Sequence, residues 1–417
     1  MYKFSEEHVK IENEQKIVLG NRETGQWVRI SKEVYTILDK GIQNKLSIER
    51  LLNYLEDESD RVFIKSLYEK LCYIGIIEEK NSKKIYGNRI ASIEMTHRCN
   101  LNCAHCCVDA DFENNGSDPL STDDMKDIFK KLVEWNPSSI MLSGGEPMIR
   151  SDFLDLLVYL RDIYTGKIIL ATNGTLINNK NVNILSKSIN QIDISVDGVD
   201  EKSCSLVRGK GVFDKVINNV KLLKSKGFEK ITLSMAVSYK NEHLEERFNE
   251  LNKSLGTTPL VRAFAPIGRG EKNIDIFSDK GIEDVYISEE YLSNDYSKPF
   301  GISSCSGGRR KILVTYTGDL YPCMPLMRPG YKIGNISTIK RLKDMELSVT
   351  SIKRRKEVYE KENVLNDVIY GRCKDCKVNL FCWTCPSEFE ELRDNKLGFE
   401  DRCKKVEPVL YKRVWEG

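Results

Sequence analysis

Cys99-Asn-Leu-Asn-Cys103-Ala-His-Cys106 lies just after the apolar run Ile90-Ala-Ser-Ile-Glu-Met95. The C-x3-C-x2-C spacing puts three thiols on one short loop behind a strand-like segment. Three thiolates can hold three irons of a cubane [4Fe–4S] cluster and leave the fourth iron without a protein ligand. An open iron is of little use for electron carriage alone, but it can bind a reactant. The alternative is a structural zinc site closed by Cys107, although adjacent residues rarely converge on one tetrahedral ion.

The surrounding sequence bounds the setting. At 417 residues the chain is long enough for two or three domains. A formal net charge of +2 gives no general case for binding nucleic acid or a membrane surface. No apolar run approaches a bilayer span, and Met1-Tyr-Lys-Phe-Ser-Glu-Glu7 lacks an apolar signal-peptide region, so a cytoplasmic location is expected. Thirteen cysteines in a cytosolic protein argue for metal or cluster ligation over a disulfide framework. Cys72 and Cys204 lie outside the obvious groups, and neither is assigned a role.

Residues 88–300 alternate strand-like and helix-like runs. Strands are expected at Ile90–Met95, Ser139–Leu142, Ile168–Ala171, Ile192–Ser195, Ile231–Val237 and Leu260–Ala265. Helices are expected at Thr122–Trp135, Asp152–Tyr164, Val212–Lys226 and His243–Leu251. This alternation calls for a parallel sheet, and six units suggest an α/β fold of the partial (β/α)6 TIM-barrel type. Functional loops then sit at the C-terminal ends of the strands. Gly144-Gly145-Glu146-Pro147 follows the second strand, Thr172-Asn173-Gly174 the third and Ser195-Val-Asp197-Gly198 the fourth. Arg262 and Pro266-Ile-Gly-Arg-Gly270 are used only as a boundary after the sixth.

The cysteine triplet followed one βα unit later by Gly-Gly-Glu-Pro resembles radical S-adenosylmethionine (SAM) enzymes. The resemblance implies that the open iron chelates the SAM amino and carboxylate groups. It makes Cys99, Cys103 and Cys106 the catalytic cluster ligands. It also places Gly144, Gly145, Glu146 and Pro147 at the SAM ammonium, with Asn173 and Ser195 at its ribose or methionine portion. His105 takes the family's aromatic position near the adenine, the alternative being a solvent-facing loop histidine. Arg208 is a candidate partner for the SAM carboxylate, since a guanidinium fork fits a carboxylate bidentately; the alternative is a surface ion pair.

A second cysteine set occupies residues 301–417: Cys305, Cys323, Cys373, Cys376, Cys382, Cys385 and Cys403. It resembles the SPASM domain, which carries two auxiliary [4Fe–4S] clusters in peptide-modifying radical SAM enzymes, for three clusters in all. One departure is that the usual C-x5-C-x3-C ends here as C-x5-C-x2-C. The resemblance implies an outer cluster on Cys373, Cys376, Cys382 and Cys403, and an inner one on Cys305, Cys323 and Cys385. No cysteine lies between Cys305 and Cys323 to complete the inner set. That iron is either open to a substrate thiolate or closed by Asp319, another side chain or water. A zinc ribbon on Cys373, Cys376, Cys382 and Cys385 is a further alternative that leaves the other cysteines idle.

Residues 1–85 read as a separate winged-helix module. Strands at Lys16–Leu19 and Trp27–Ile30 flank the turn Asn21–Gly25; three short helices follow, and Gly75-Ile-Ile-Glu78 closes as a wing strand. Its 15 basic and 15 acidic residues give no basic footprint for DNA. The module resembles the RiPP recognition element, which binds leader peptides of ribosomally made precursors by strand addition. A winged-helix packing or DNA-binding domain is the alternative. Together the segments lead to a radical SAM peptide maturase of the sactipeptide or ranthipeptide kind. It would install a thioether between a cysteine sulfur and a carbon of its precursor, with electrons from a partner such as flavodoxin or ferredoxin. The same machinery forming a carbon–carbon or carbon–oxygen crosslink is the nearest alternative, and a non-enzymatic iron–sulfur regulator is a remote one.

Overall fold

The computed structural model describes residues 1–79, 88–113, 116–279, 287, 292, 300–302, 306–308, 310–345, 372–382, 387 and 396–417. The chain forms two compact units. One comprises Met1–Gly87, Glu289–Ser306 and Glu360–Gly417; the other comprises Asn88–Ser288 and Gly307–Tyr359. The 301–417 segment is therefore shared between them.

In the first unit, β1 (Tyr2–Phe4), β2 (His8–Asn13), β3 (Lys16–Asn21) and β4 (Trp27–Ser31) precede α1 (Lys32–Gln43), α2 (Ile48–Leu52), α3 (Glu58–Tyr73) and β5 (Ile77–Glu79). Strands β2, β3 and β4 form an antiparallel sheet with Leu19 opposite Val28. The Asn21 side chain accepts from the amides of Glu23 and Thr24, which shapes the expected turn. Ser31, Ser47 and Asp57 cap the three helices. In α3 the buried Ile64, Leu67, Tyr68 and Leu71 fall at helical spacing and pack with Ile17, Leu19 and Leu38. β2 adds a third strand to the expected pair, and the strand after Gly75 pairs with β1.

The second unit holds six parallel strands in sequential order: β6 (Ile90–Glu94), β7 (Ser139–Ser143), β8 (Lys167–Thr172), β9 (Gln191–Ser195), β10 (Ile231–Val237) and β11 (Thr258–Ala263). Their connections carry α4 (Thr122–Glu134), α5 (Phe153–Ile163), α6 (Val182–Ser188), α7 (Glu201–Arg208), α8 (Val212–Ser225) and α9 (Glu245–Leu255). The sheet continues past β6 through β12 (Lys311–Val314), β13 (Asp319–Tyr321) and β14 (Gly334–Asn335), of which β12 runs parallel to β6. This extension was not read from the sequence. Successive strand residues point to opposite faces. Ala91, Ile93, Ile140, Leu142, Leu170, Ile192 and Leu233 join the helices in one apolar core. The alternate positions put Ser92, Glu94, Ser143, Ser195 and Ser234 on the other face, with Glu94 opposite Ser143 and Ser195 opposite Ser234. One face thus supplies stability, and the other mixes these polar groups with Met141, Ile169 and Ala171.

Helix α4 opens with a Ser121–Asp124 capping box and buries Met125, Ile128, Phe129 and Leu132. Phe129 is fully buried. Phe129→Ala should lower the free energy of unfolding by about 3–5 kcal/mol, read by urea denaturation. A loss under about 1 kcal/mol would mean this helix face does not anchor the core.

Candidate functional site

Residues 97–111 have almost no regular structure of their own, so their backbone groups are held by neighbours. The Gly145 amide donates to the Thr96 carbonyl (2.9 Å) and the Glu146 amide to that of Arg98 (2.8 Å). Gly144 has φ +137°, and a Cβ there or at Gly145 would overlap the carbonyl oxygens of Thr96 and Arg98. The two glycines are thus required by a backbone-on-backbone approach. On the other side, Arg269 donates from its amide to the Cys106 carbonyl (2.9 Å), from Nε to the Cys103 carbonyl (3.1 Å) and from Nη1 to the Ala110 carbonyl (2.8 Å). Asn273 Nδ2 adds a bond to the Ala104 carbonyl.

Each of the three sulfurs faces N–H donors. Cys99 Sγ accepts from the Leu101 amide (3.5 Å) and lies 3.9 Å from Asn173 Nδ2; Cys106 Sγ accepts from the Ala110 amide (3.4 Å); Cys103 Sγ lies 3.6 Å from Arg208 Nη1. Burial pushes the Cys99 thiol up to about 11 and raises that of Cys103. Iron would reverse that preference, because it binds the thiolate. Among the described residues no three His, Cys, Asp or Glu side chains converge on a single-ion position. Cys99, Cys103 and Cys106 lie near enough to act on one another by charge, and each sulfur is supplied with N–H donors.

Around this loop the strand ends form a second layer. Glu146 is fully buried; its carboxylate accepts from Thr172 Oγ1 (2.8 Å) and from the amides of Asn173 (2.8 Å) and Met148 (3.1 Å). Burial raises its carboxyl nonetheless. Pro147 starts a short turn that Glu146 caps. Asn173 Nδ2 donates to Asn100 Oδ1 (2.8 Å), tying the third strand's end to the cluster loop. Ser195 Oγ accepts from Ser234 Oγ (3.3 Å) on the polar face of the sheet.

Asp197 organises the remainder. It has φ +49° and is buried, and it accepts from Arg208 Nε (2.6 Å), His105 Nε2 (2.9 Å) and the Ala236 amide (2.6 Å). Burial by itself would push the carboxyl up, but Arg208 and His105 hold it well below the usual carboxylate range. Arg208 is correspondingly raised, although burial opposes its charge. Its Nε and Nη2 face Asp197 and its Nη1 lies by Cys103 Sγ; the expectation that it takes the SAM carboxylate is not tested by these contacts. His105 is neither solvent-facing nor fully partnered: its ring stacks on Phe277, and its buried Nδ1 has no hydrogen-bond partner. Cys107 contacts Met324, with 3.1 Å between sulfurs.

Of the second cysteine set, Cys305 and Cys385 lie outside the described residues. Cys323 follows β13 in the unit with the parallel sheet. In the other unit Cys373 lies on the short helix Arg372–Asp375, Cys376 and Cys382 on the turns after it, and Cys403 on the helix Lys396–Tyr411. Burial pushes the Cys376 thiol up, and Cys382, Cys403 and Glu407 lie near enough to add to the effect. Arg402 Nη1 donates to Cys382 Sγ (3.1 Å).

Residues 93–252 match the radical SAM superfamily and residues 305–377 the SPASM iron-sulfur cluster-binding domain. The chain carries a radical SAM domain followed by a SPASM domain. It is 29% identical over 266 residues to the mycofactocin maturase MftC of Mycolicibacterium smegmatis, covering 58% of this chain and 66% of the maturase. An AdoMet-dependent heme synthase of Methanosarcina barkeri is 30% identical over 192 residues, 45% of this chain and 54% of that one. Among solved structures, Streptococcus suis SuiB bound to S-adenosylmethionine aligns with TM-score 0.50 at 16% identity, covering 93% of this chain and 96% of that one. Native anSMEcpe with bound AdoMet aligns at 0.52 and 18%, covering 78% and 98%. At these identities the two structures share the fold. No helix among the described residues is long and apolar enough to cross a membrane.

In the sequence Arg269 marks only the boundary after the sixth strand, and Asp197 only the end of the fourth. The Gly268-Arg-Gly270 context was the available signal, since Gly268 (φ +60°) lies against the Cys106 carbonyl. Asp197→Asn should destabilise the metal-free protein by about 3–5 kcal/mol near neutral pH, because Arg208 is left buried without its counter-ion. A depressed carboxyl stabilises above its unfolded value of about 3.9 and loses that contribution as pH falls towards its folded value. The difference in urea midpoint between wild type and variant should therefore be constant above about pH 5 and shrink below about pH 4.

Proposed function

We propose that this chain is a radical SAM enzyme that modifies a ribosomally made peptide. The observation that carries the reading is the Cys99–Cys106 loop, whose backbone is clamped by Gly145, Glu146 and Arg269 while its three sulfurs face N–H donors. A cluster on Cys99, Cys103 and Cys106 would supply an electron to SAM, giving methionine and a 5′-deoxyadenosyl radical that takes a hydrogen atom from the substrate. Gly144, Gly145 and Pro147 hold the loop after β7 close to it. Asn173 and Ser195 offer polar groups at neighbouring strand ends, and the unpartnered Nδ1 of His105 offers the adenine a hydrogen bond. Asp197 and Arg208 stay behind the loop and fix the charge beside Cys103.

A peptide substrate is supported by the maturase relative and by the first unit. There Val28, Ile30, Phe63, Leu67, Lys70 and Arg413 line a cavity of about 510 Å³ beside β4. Among the described residues β4 pairs only with β3, leaving an edge to which a leader peptide can add as a strand. This is the arrangement expected of a RiPP recognition element. Cys403, on the helix Lys396–Tyr411, would complete an outer auxiliary set with Cys373, Cys376 and Cys382. For the inner set, both carboxylate oxygens of Asp319 are engaged, one by Lys332 and one by Asn335, each at 2.8 Å. That favours an iron left open to a substrate thiolate and hence a thioether product. A flavodoxin or ferredoxin would be the electron donor.

The test is the intact mass of a cysteine-containing precursor, encoded beside this gene, after coexpression under low oxygen. Loss of two hydrogens per crosslink together with loss of alkylatable thiol is expected. The same mass loss with every thiol still alkylatable would move the product to a carbon–carbon or carbon–oxygen bond. Release of 5′-deoxyadenosine with no mass change would contradict this precursor as substrate.

A further inference from the structure

The described residues bury four acidic side chains: Glu94, Glu146, Asp193 and Asp197. Three are already committed. Glu146 accepts from Thr172, Asn173 and Met148; Asp197 pairs with Arg208 and His105; Asp193 accepts from Gln191 Nε2 (2.7 Å). Glu94 is different. It is the last residue of β6, 4% exposed, with the Tyr316 amide as a hydrogen-bond donor and no cation among the described residues to pair with it. Its side chain belongs to the polar face of the sheet, opposite Ser143 and together with Ser195 and Ser234. It stands at the C-terminal end of the first strand, the end from which the cluster loop departs five residues before Cys99. The Cys107 thiol is near enough to respond to its charge.

A carboxyl in such a place has no ion pair among the described residues to preserve, and it stands at the strand end where functional groups of parallel α/β folds gather. Burial pushes it up to about 7, so both of its protonation states are within reach at neutral pH.

The geometry points to Glu94 as the proton acceptor for the substrate, an inference that rests on the peptide-modifying reading. The peptide gives one hydrogen atom to the 5′-deoxyadenosyl radical, which becomes 5′-deoxyadenosine. The resulting carbon radical bonds to a heteroatom of the same peptide. The proton of that heteroatom passes to the Glu94 carboxylate, and an oxidised iron–sulfur cluster, when bound, would take the remaining electron. Two hydrogens leave the peptide, one as an atom and one as a proton with its electron, and no other reactant is consumed.

Glu94→Gln keeps the shape and the hydrogen bond from Tyr316 but cannot take a proton; Glu94→Asp keeps the acid. In the full-length protein with its clusters reconstituted, both variants should retain wild-type iron content and wild-type release of 5′-deoxyadenosine without peptide. With the precursor present, Glu94→Gln should modify one-tenth or less of the wild-type amount of peptide per 5′-deoxyadenosine, general bases contributing about 10²–10⁴-fold. Glu94→Asp should recover part of that yield. An unchanged yield per 5′-deoxyadenosine in Glu94→Gln would overturn the assignment. So would a parallel loss of iron and cleavage in both variants, since that is how a mere prop for the Tyr316 turn would behave. The wild-type protein in the same series tests the peptide reading separately, because its product does not depend on Glu94 being the acceptor.

Discussion

The loop that carries Cys99, Cys103 and Cys106 has almost no regular structure and cannot satisfy its own backbone, and that constraint governs the second unit. The cluster loop surrenders its carbonyls to groups brought from elsewhere: the amides of Gly145 and Glu146 after β7, and the guanidinium and amide of Arg269 after β11. Loops this irregular depend on such external partners, since an unpaired buried backbone group costs about as much as a lost hydrogen bond. The parallel sheet supplies them because its strand ends all open on one edge. Sheet, glycine pair and arginine are thus one device for holding three thiols still.

The electrostatics follow from the same need. The buried Cys99 and Cys103 thiols resist ionisation, because burial penalises the thiolate. Arg208 brings a positive charge to Cys103, and Asp197 makes that buried charge tolerable. His105 completes the group by bonding the same carboxylate while stacking on Phe277. A buried ion pair of this kind contributes little net stability, but it fixes where a guanidinium points. Here it points one amino group at Cys103.

Much of this was legible in the sequence. The six strand runs carried apolar alternation strong enough to place each within two residues or so, and the triplet and Gly-Gly-Glu-Pro identified the chemistry before any contact was known. What escaped was non-local. Strands β12 to β14 are two to four residues long and sit in a cysteine-rich stretch, so their pattern is too short to read. Arg208 reads as an exposed fork because nothing near it in sequence announces Asp197 at hydrogen-bond distance. Arg269 reads as turn punctuation for the same reason. Glu94 was simply one residue of a strand until its burial and lack of a counter-ion set it apart.

The central claim is that Cys99, Cys103 and Cys106 hold a cluster with one iron open to SAM. The most direct measurement is electron–nuclear double resonance on the anaerobically reduced protein with SAM labelled at its amino nitrogen and carboxylate oxygens. A cluster with an open iron will show hyperfine coupling to both labels, and that signal will vanish in Cys103→Ala. A reduced cluster signal that is identical with and without SAM, and uncoupled from either label, would contradict the account.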